Sequence, residues 1–133
     1  MAKNLKKKIE LSNLLEQVET NFDSKEIISK LDKLHSKSKA HVIGITGSPG
    51  VGKSSLIDKL VKHIRKKNKS VGIIAIDPSS ERSGGALLGD RTRLMLNPSD
   101  NEVFVRSMAS KSFLGGISEL TYPSMVVMRA MFD

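Results

Sequence analysis

The feature that most constrains the fold is a glycine-rich loop that matches the pattern G-x-x-x-x-G-K-[ST] in full: Gly47-Ser48-Pro49-Gly50-Val51-Gly52-Lys53-Ser54. It lies between a short β-branched run over residues 42–46 and an amphipathic stretch over residues 54–67. Glycines in such a loop let successive backbone amides point inward at one anion, and the helix that follows adds unpaired N–H groups and the positive end of its dipole. The sequence therefore predicts a strand, a phosphate-binding loop and a helix in direct succession.

The last two residues of this loop carry the chemistry that the pattern implies. The Lys53 ammonium can reach the β- and γ-phosphate oxygens, and the Ser54 hydroxyl can ligate a Mg²⁺ ion that bridges them. A nucleoside triphosphate bound with magnesium is the favoured ligand. The structural alternative is a glycine-rich turn that caps a helix by chance.

Strand and helix patterns alternate from residue 41 onward. The run over residues 71–76 is a second buried strand, so residues 42–76 have the length of a parallel strand–helix–strand crossover. We further predict a short helix at 91–96, a turn at 97–100, a strand at 103–105 and a helix at 117–132 that Pro123 breaks or kinks. The predicted fold class is α/β, with a mostly parallel sheet and flanking helices.

Residues 1–40 form a polar, helical segment ahead of this pattern. Apolar residues recur at helical spacing in two stripes: Ile9, Leu14, Leu15, Val18 and Phe22, then Ile27, Ile28, Leu31 and Leu34. Asp23, with Glu26 three residues on, predicts a capping box at the start of the second helix. We therefore predict an N-terminal helical extension over residues 1–40 and a phosphate-binding domain over residues 41–133.

Composition excludes several classes of protein. Lys and Arg total 22 against 14 Asp and Glu, a net charge of +8 that favours polyanionic partners. The absence of cysteine excludes disulfides, zinc–thiolate sites and thiol nucleophiles. The apolar runs fall short of the roughly 18 residues of a spanning helix, and the basic N-terminus lacks the apolar core of a secretory signal. We therefore expect a cytoplasmic protein with no membrane partner.

A basic nucleic-acid-binding module is a second hypothesis, from another functional class. The lysines at 6–8 and 66–67 would supply its charged patch. The five aromatic residues are scattered rather than interleaved with positive charge, which disfavours nucleic acid as a partner.

Two further segments could contribute to a phosphate site. Asp77 follows the strand at 71–76, and ligands of open α/β sheets lie at the carboxyl ends of the strands, so its carboxylate is placed to reach a metal ion or a metal-bound water. The structural alternative is that Asp77 caps a turn ahead of Pro78. The polar loop over residues 81–93 contains Asp90 and is either a segment that the γ-phosphate orders or a plain connector.

Several strings, taken in order, resemble the MeaB/ArgK family of P-loop GTPases. They are Gly44-Ile45-Thr46 with the loop through Ser54, then Asp77-Pro78-Ser79-Ser80, Ser83-Gly84-Gly85, Leu88-Gly89-Asp90-Arg91-Thr92-Arg93 and Leu114-Gly115-Gly116. The similarity spans roughly residues 8–133. The order and spacing of these strings together are far more specific than the phosphate loop alone.

The resemblance implies a GTPase of the signal-recognition-particle and MinD class. Such proteins act as chaperones that load, protect or reactivate an adenosylcobalamin-dependent mutase, usually methylmalonyl-CoA mutase. The implied cofactors are GTP and Mg²⁺, and the family is homodimeric. By motif match, the nucleotide would be held by Gly47, Ser48, Pro49, Gly50, Val51, Gly52, Lys53, Ser54 and Ser55. The implied catalytic residues are Lys53, Asp77 and Asp90, and the implied metal ligands are Ser54, Asp77 and Asp90.

The chain also departs from the family pattern. Family members are about twice this long and carry a Glu-Thr-x-Gly-x-Gly-Gln string and an Asn-Lys-x-Asp string, neither of which occurs here. We also do not expect the helical arm used for dimerisation in the family within these 133 residues. We therefore expect an incomplete sheet, weak nucleotide binding and little hydrolysis from these 133 residues alone. An ATP-binding kinase, a transport-type ATPase and a non-catalytic nucleotide-binding fragment remain as alternatives.

Overall fold

The computed structural model describes residues 2–77, 96–97, 99–109 and 119–133. Four helices and two strands lie within these ranges: α1 (Ala2–Asn21), α2 (Lys25–Lys37), α3 (Lys53–Lys66), β1 (Val71–Asp77), β2 (Val103–Ala109) and α4 (Thr121–Met131). In the part of the chain so described, no helix is long and apolar enough to span a membrane.

The two strands pair in parallel, which confirms the predicted α/β class. The register runs from Val71 opposite Val103 to Asp77 opposite Ala109. Continuous apolar runs such as residues 71–76 are typical of parallel strands, which are covered on both faces. The strand predicted at 103–105 continues to Ala109, because β1 supplies a hydrogen-bonding partner along its whole length.

The strand predicted at 42–46 is not formed, and that prediction is wrong. Residues 42–46 are described but belong to no ladder, and the sheet consists of β1 and β2 within the described ranges. The side chains of Val42 and Ile43 are 55% and 62% exposed. A β-branched run reports a preference for extended backbone, but a strand also needs ladder hydrogen bonds to a neighbour, and residues 42–46 make none within the described ranges.

The core joins the N-terminal helices to α4. Its buried members come from three helices: Leu11, Leu15, Val18, Ile27, Val127 and Met128. Phe104 of β2 and Ile74 of β1 pack against this cluster. Packing therefore crosses residue 40, where the composition changes and where the sequence predicts a domain boundary.

The two predicted apolar stripes face the core only in part. Ile9, Phe22 and Ile28 are exposed, whereas Leu11, which was not predicted, is fully buried. An ion pair adds to the anchoring of α1, because Glu19 accepts from Arg106 Nε at 2.8 Å and from its Nη2 at 2.6 Å. Helix α1 is therefore fixed to β2 by charge as well as by apolar contact.

Helix α2 begins differently from the prediction. Its N-cap is Ser24, whose hydroxyl accepts from the backbone N–H of Ile27 at 3.2 Å. The predicted capping box of Asp23 and Glu26 is therefore wrong, since the helix starts one residue later and its third position is Ile27. Glu26 instead accepts from Lys30, one turn along.

Helix α4 runs unbroken past its proline. Thr121 is its first residue, so Pro123 lies in the first turn, where a backbone N–H has no partner within the helix and its loss costs nothing. Residues 119–120, predicted as helix, form a turn ahead of it, while 117–118 lie outside the described residues. The predicted kink is therefore wrong.

Two local predictions lie before β2. The turn predicted at 97–100 is confirmed at its described residues, with Pro98 outside them, because the N–H of Asp100 donates to the carbonyl of Asn97 at 3.0 Å. The short helix predicted at 91–96 falls on residues outside the described ranges, apart from Leu96, which is not helical.

Candidate phosphate-binding loop

The backbone of the loop depends on glycine at three positions. Gly47, Gly50 and Gly52 have φ values of +153°, +80° and +96°, a region that side-chain-bearing residues rarely adopt. A Cβ at Gly50 or Gly52 would meet nothing within 4 Å, whereas at Gly47 it would lie 3.3 Å from Val51 Cγ2. Glycine is therefore required at 50 and 52 by conformation rather than by space, as the motif implies.

Lys53 closes the loop on itself. Its ammonium donates to the carbonyl of Gly47 at 2.7 Å and to that of Ser48 at 2.8 Å. These bonds join the first residue of α3 to the first two residues of the loop. An ammonium has three donors, so one N–H remains for a ligand. The loop is thus preformed, and two of the three N–H donors of the Lys53 ammonium bond to it.

The start of α3 offers further donors. Its N-cap is Gly52, which has no side chain to cap the helix, and the first turn carries no acidic residue. The first intrahelical bond runs from the N–H of Leu56 to the carbonyl of Gly52 at 3.0 Å, so the N–H groups ahead of it have no acceptor within the helix. An anion at this point would replace the missing cap and lie at the positive end of the helix dipole.

The remaining loop residues are accessible to a ligand. The exposed residues of the predicted nucleotide site are Gly47, Ser48, Pro49, Gly50, Val51, Gly52, Ser54 and Ser55, and Lys53 is half-buried. The hydroxyl of Ser54 lies in the first turn of α3, next to Lys53 in the chain. The predicted phosphate-binding residues therefore lie in one accessible loop and in the first turn of α3.

Of the two predicted acidic residues, Asp77 and Asp90, only the backbone of Asp77 is described. Asp77 ends β1, at the same end of the sheet as Ala109, but its side chain lies outside the description. Asp90 lies outside the described residues altogether. Among the side chains that are described, no group of three or more His, Asp or Glu residues could hold a metal ion. Magnesium is commonly held by one or two carboxylates together with substrate phosphates, so a metal ion at Ser54 would also depend on a carboxylate such as that of Asp77 and on a bound triphosphate.

A junction that the sequence did not predict holds the segment leading into the loop. The Asp133 carboxylate accepts from the N–H and the hydroxyl of Ser70, each at 2.8 Å, and the Asp133 carbonyl accepts from the N–H of His41 at 3.2 Å. The bonds from Ser70 lower the pKa of Asp133. This junction fixes the start of residues 42–46 beside the start of β1. Its partners lie 63 or more residues apart, so no local pattern could indicate it.

The sequence of the chain is similar to those of a family of GTPases. Residues 10–133 match the family model described as methylmalonyl Co-A mutase-associated GTPase MeaB. The chain is 48% identical over 107 residues to a Pyrococcus horikoshii protein that carries a GTPase name, which covers 80% of this chain and 33% of that protein. It is 38% identical over 112 residues to the fused isobutyryl-CoA mutase of Cupriavidus metallidurans, covering 82% of this chain and 10% of that protein. A third relative is the mouse methylmalonic aciduria type A homolog, mitochondrial, at 35% identity over 85 residues, or 64% of this chain and 20% of the relative.

The chain therefore spans about a third of the length of the Pyrococcus relative that it matches. The shared part contains the phosphate loop and the helix that follows it.

Proposed function

The chain belongs to the MeaB family of methylmalonyl-CoA mutase-associated GTPases, and we propose that its loop over residues 47–54 binds the phosphates of GTP together with Mg²⁺. The observation that carries this proposal is the preformed loop. Lys53 is held by two loop carbonyls and keeps one donor, beside a helix start that has no side-chain cap.

Each residue of the cradle has a distinct role in this proposal. The free N–H of Lys53 and the amides of the first turn of α3 donate to the β- and γ-phosphate oxygens. The Ser54 hydroxyl is a ligand for Mg²⁺, which neutralises the charge between the phosphates when bound. Ser55 lies one residue further along α3, where its backbone N–H extends the same row of donors.

Asp77 and Asp90 complete the proposed site. We assign both to the metal side of the nucleotide, where a carboxylate accepts hydrogen bonds from metal-bound water. The position of Asp77 at the carboxyl end of β1 supports this assignment, because ligands of parallel sheets lie at that edge. With Lys53, they form the proposed catalytic set for GTP hydrolysis by the whole protein.

The proposed partner is an adenosylcobalamin-dependent mutase. One relative supports it by name, as a fused isobutyryl-CoA mutase. The family description also names a mutase-associated GTPase. We propose that the whole protein acts as a chaperone of such an enzyme. A pull-down of methylmalonyl-CoA mutase with and without GTP tests this association directly.

The nucleotide proposal is tested by titrating the chain with a fluorescent GTP analogue in the presence of Mg²⁺. Lys53→Ala removes the central positive donor, and a charged hydrogen bond of about 1.5–3 kcal/mol corresponds to a rise in Kd of about 10- to 150-fold. Lys59→Ala is the matched control, because Lys59 is an exposed lysine on the same helix. We expect it to bind as the wild type does.

Three results would contradict the proposal. The first is an absence of GTP binding by the wild type, and the second is equal Kd values for the Lys53 and Lys59 variants. The third is preferential binding of ATP in a competition titration, which would favour a kinase or an ATPase instead.

A further inference from the structure

The far end of α3 is tied to the turn that precedes β2. Arg65, in the last turn of the helix, donates from Nε to Asp100 Oδ2 at 2.8 Å, although the residues lie 35 positions apart. Both side chains are only 24% exposed. Arg65 also donates from Nη1 to the carbonyl of Lys69 at 2.7 Å, just before β1. One guanidinium therefore links α3 to the approaches of both strands.

Asp100 is itself held from several sides. Its second carboxylate oxygen accepts from the N–H of Glu102 at 3.0 Å, and its carbonyl accepts from Lys8 Nζ of α1 at 3.1 Å. Its own N–H donates to Asn97. The hydrogen bond from Arg65 is the main cause that lowers the pKa of Asp100. Asp100 is thus a fixed point to which the end of α3 is attached.

The first turn of α3 is bonded to the phosphate loop through Lys53 but is largely exposed. Ser54, Ser55 and Leu56, in its first turn, are exposed, and the buried residue of α3, Val61, lies past its middle. A helix of this length moves as a rigid rod of about 20 Å, so a tilt of about 5° at the Arg65 end displaces the first turn by about 1.5 Å. Displacements of that size matter at a site that positions a ligand.

We propose that Arg65 and Asp100 are positioning residues for the phosphate site: their ion pair sets the tilt of α3 and thereby places Lys53 and the first-turn amides around the nucleotide. This inference rests on the proposed nucleotide-binding function. Neither residue touches the ligand site, and both act through the helix.

The test compares Arg65→Ala and Asp100→Asn with Lys62→Ala. Lys62 pairs with Asp58 at 2.7 Å within the same helix, so its loss removes an ion pair from α3 without detaching the helix from β2. The Kd for Mg²⁺ and the fluorescent GTP analogue is measured at a temperature where circular dichroism shows every variant folded. We expect about a tenfold rise for the first two variants and less than a twofold change for Lys62→Ala.

A double-mutant cycle and amide spectra separate positioning from simple stability. The variant with both substitutions should bind no more weakly than Arg65→Ala alone, because Asp100 acts on α3 through its contact with Arg65. In the nucleotide-free protein, the amide resonances of Gly52 and Lys53 should shift in Arg65→Ala and stay in place in Lys62→Ala. Arg65→Lys, which keeps the charge but has fewer donors, should give an intermediate Kd.

The inference is overturned if the wild type binds GTP and both variants bind within twofold of it. It is also overturned if the Kd rises while the Gly52 and Lys53 amides stay unshifted. If the wild type binds no GTP, the proposed function fails, and the amide spectra still decide whether Arg65 sets the geometry of the loop. If Arg65→Ala does not fold, Asp100→Asn and Arg65→Lys carry the same test.

Discussion

Three glycines and one lysine determine the shape of the phosphate loop at the scale of single residues. The positive φ angles of Gly50 and Gly52 turn the chain, and Lys53 then fixes the turn by donating to two carbonyls. The sequence motif specifies these residue types and their spacing. It does not specify that the lysine donates two of its three N–H groups to loop carbonyls. That arrangement is a property of the folded backbone.

A substitution at Gly52 isolates the conformational requirement. Gly52→Ala places a Cβ in open space but forces alanine to φ +96°, so we expect a loss of about 1 kcal/mol in the free energy of unfolding, together with weaker GTP binding. Gly44→Ala is the matched control, since its Cβ also meets nothing within 4 Å and its φ lies outside that region. Urea denaturation of both variants measures the difference. Equal stabilities would show that the loop relaxes around the alanine.

At the scale of elements, the helices are defined by their ends and by what they pack against. Helix α1 presents Leu11, Leu15 and Val18 to the core and pairs Glu19 with Arg106 of β2. Its periodicity is visible in the sequence, but which of its apolar residues lie inside depends on the position of α4. For that reason Ile9 fits the periodic pattern and is nevertheless exposed, whereas Phe22 is exposed in the turn just past the end of α1.

The start of α2 allows a direct test of an element boundary. Ser24→Ala removes the hydroxyl that accepts from the Ile27 N–H, and we expect it to lower the free energy of unfolding by about 1 kcal/mol. Asp23→Ala, one residue earlier, should change it by less than about 0.5 kcal/mol, since Asp23 precedes the cap. Chemical denaturation of the two variants distinguishes them. A larger effect at Asp23 would mean that the helix starts there in solution.

At the scale of the whole molecule, the sheet and the phosphate loop are held by different means. Strands β1 and β2 are joined by a ladder and packed against the helical core. The segment leading into the loop is instead fixed at one end by the junction of His41, Ser70 and Asp133, and at the other by the closure of Lys53. The loop therefore keeps its shape although residues 42–46 have no ladder.

Hydrogen exchange should reveal this difference. The amides of residues 42–46 belong to no ladder, whereas those of residues 72–76, similar in composition, lie in the parallel pair. We expect exchange to be about 100-fold or more faster at 42–46, because amides in a packed ladder exchange only through larger openings. Exchange measured by NMR gives the comparison residue by residue. Equal protection would mean that this segment is paired in solution.

The sequence by itself determined the α/β class, the parallel character of the strands, the helix after the phosphate loop, and the loop with its lysine and glycines. Each of these is encoded locally, in the spacing of glycines or the period of apolar residues. Only the tertiary structure decided that residues 42–46 form no strand, that Ser24 caps α2, that Pro123 lies in the first turn of α4 without breaking the helix, and that Arg65 bonds to Asp100. The first and the last of these outcomes depend on partners distant in the chain, which no local pattern specifies. The other two depend on the exact residue at which a helix begins, which the period of apolar residues does not fix.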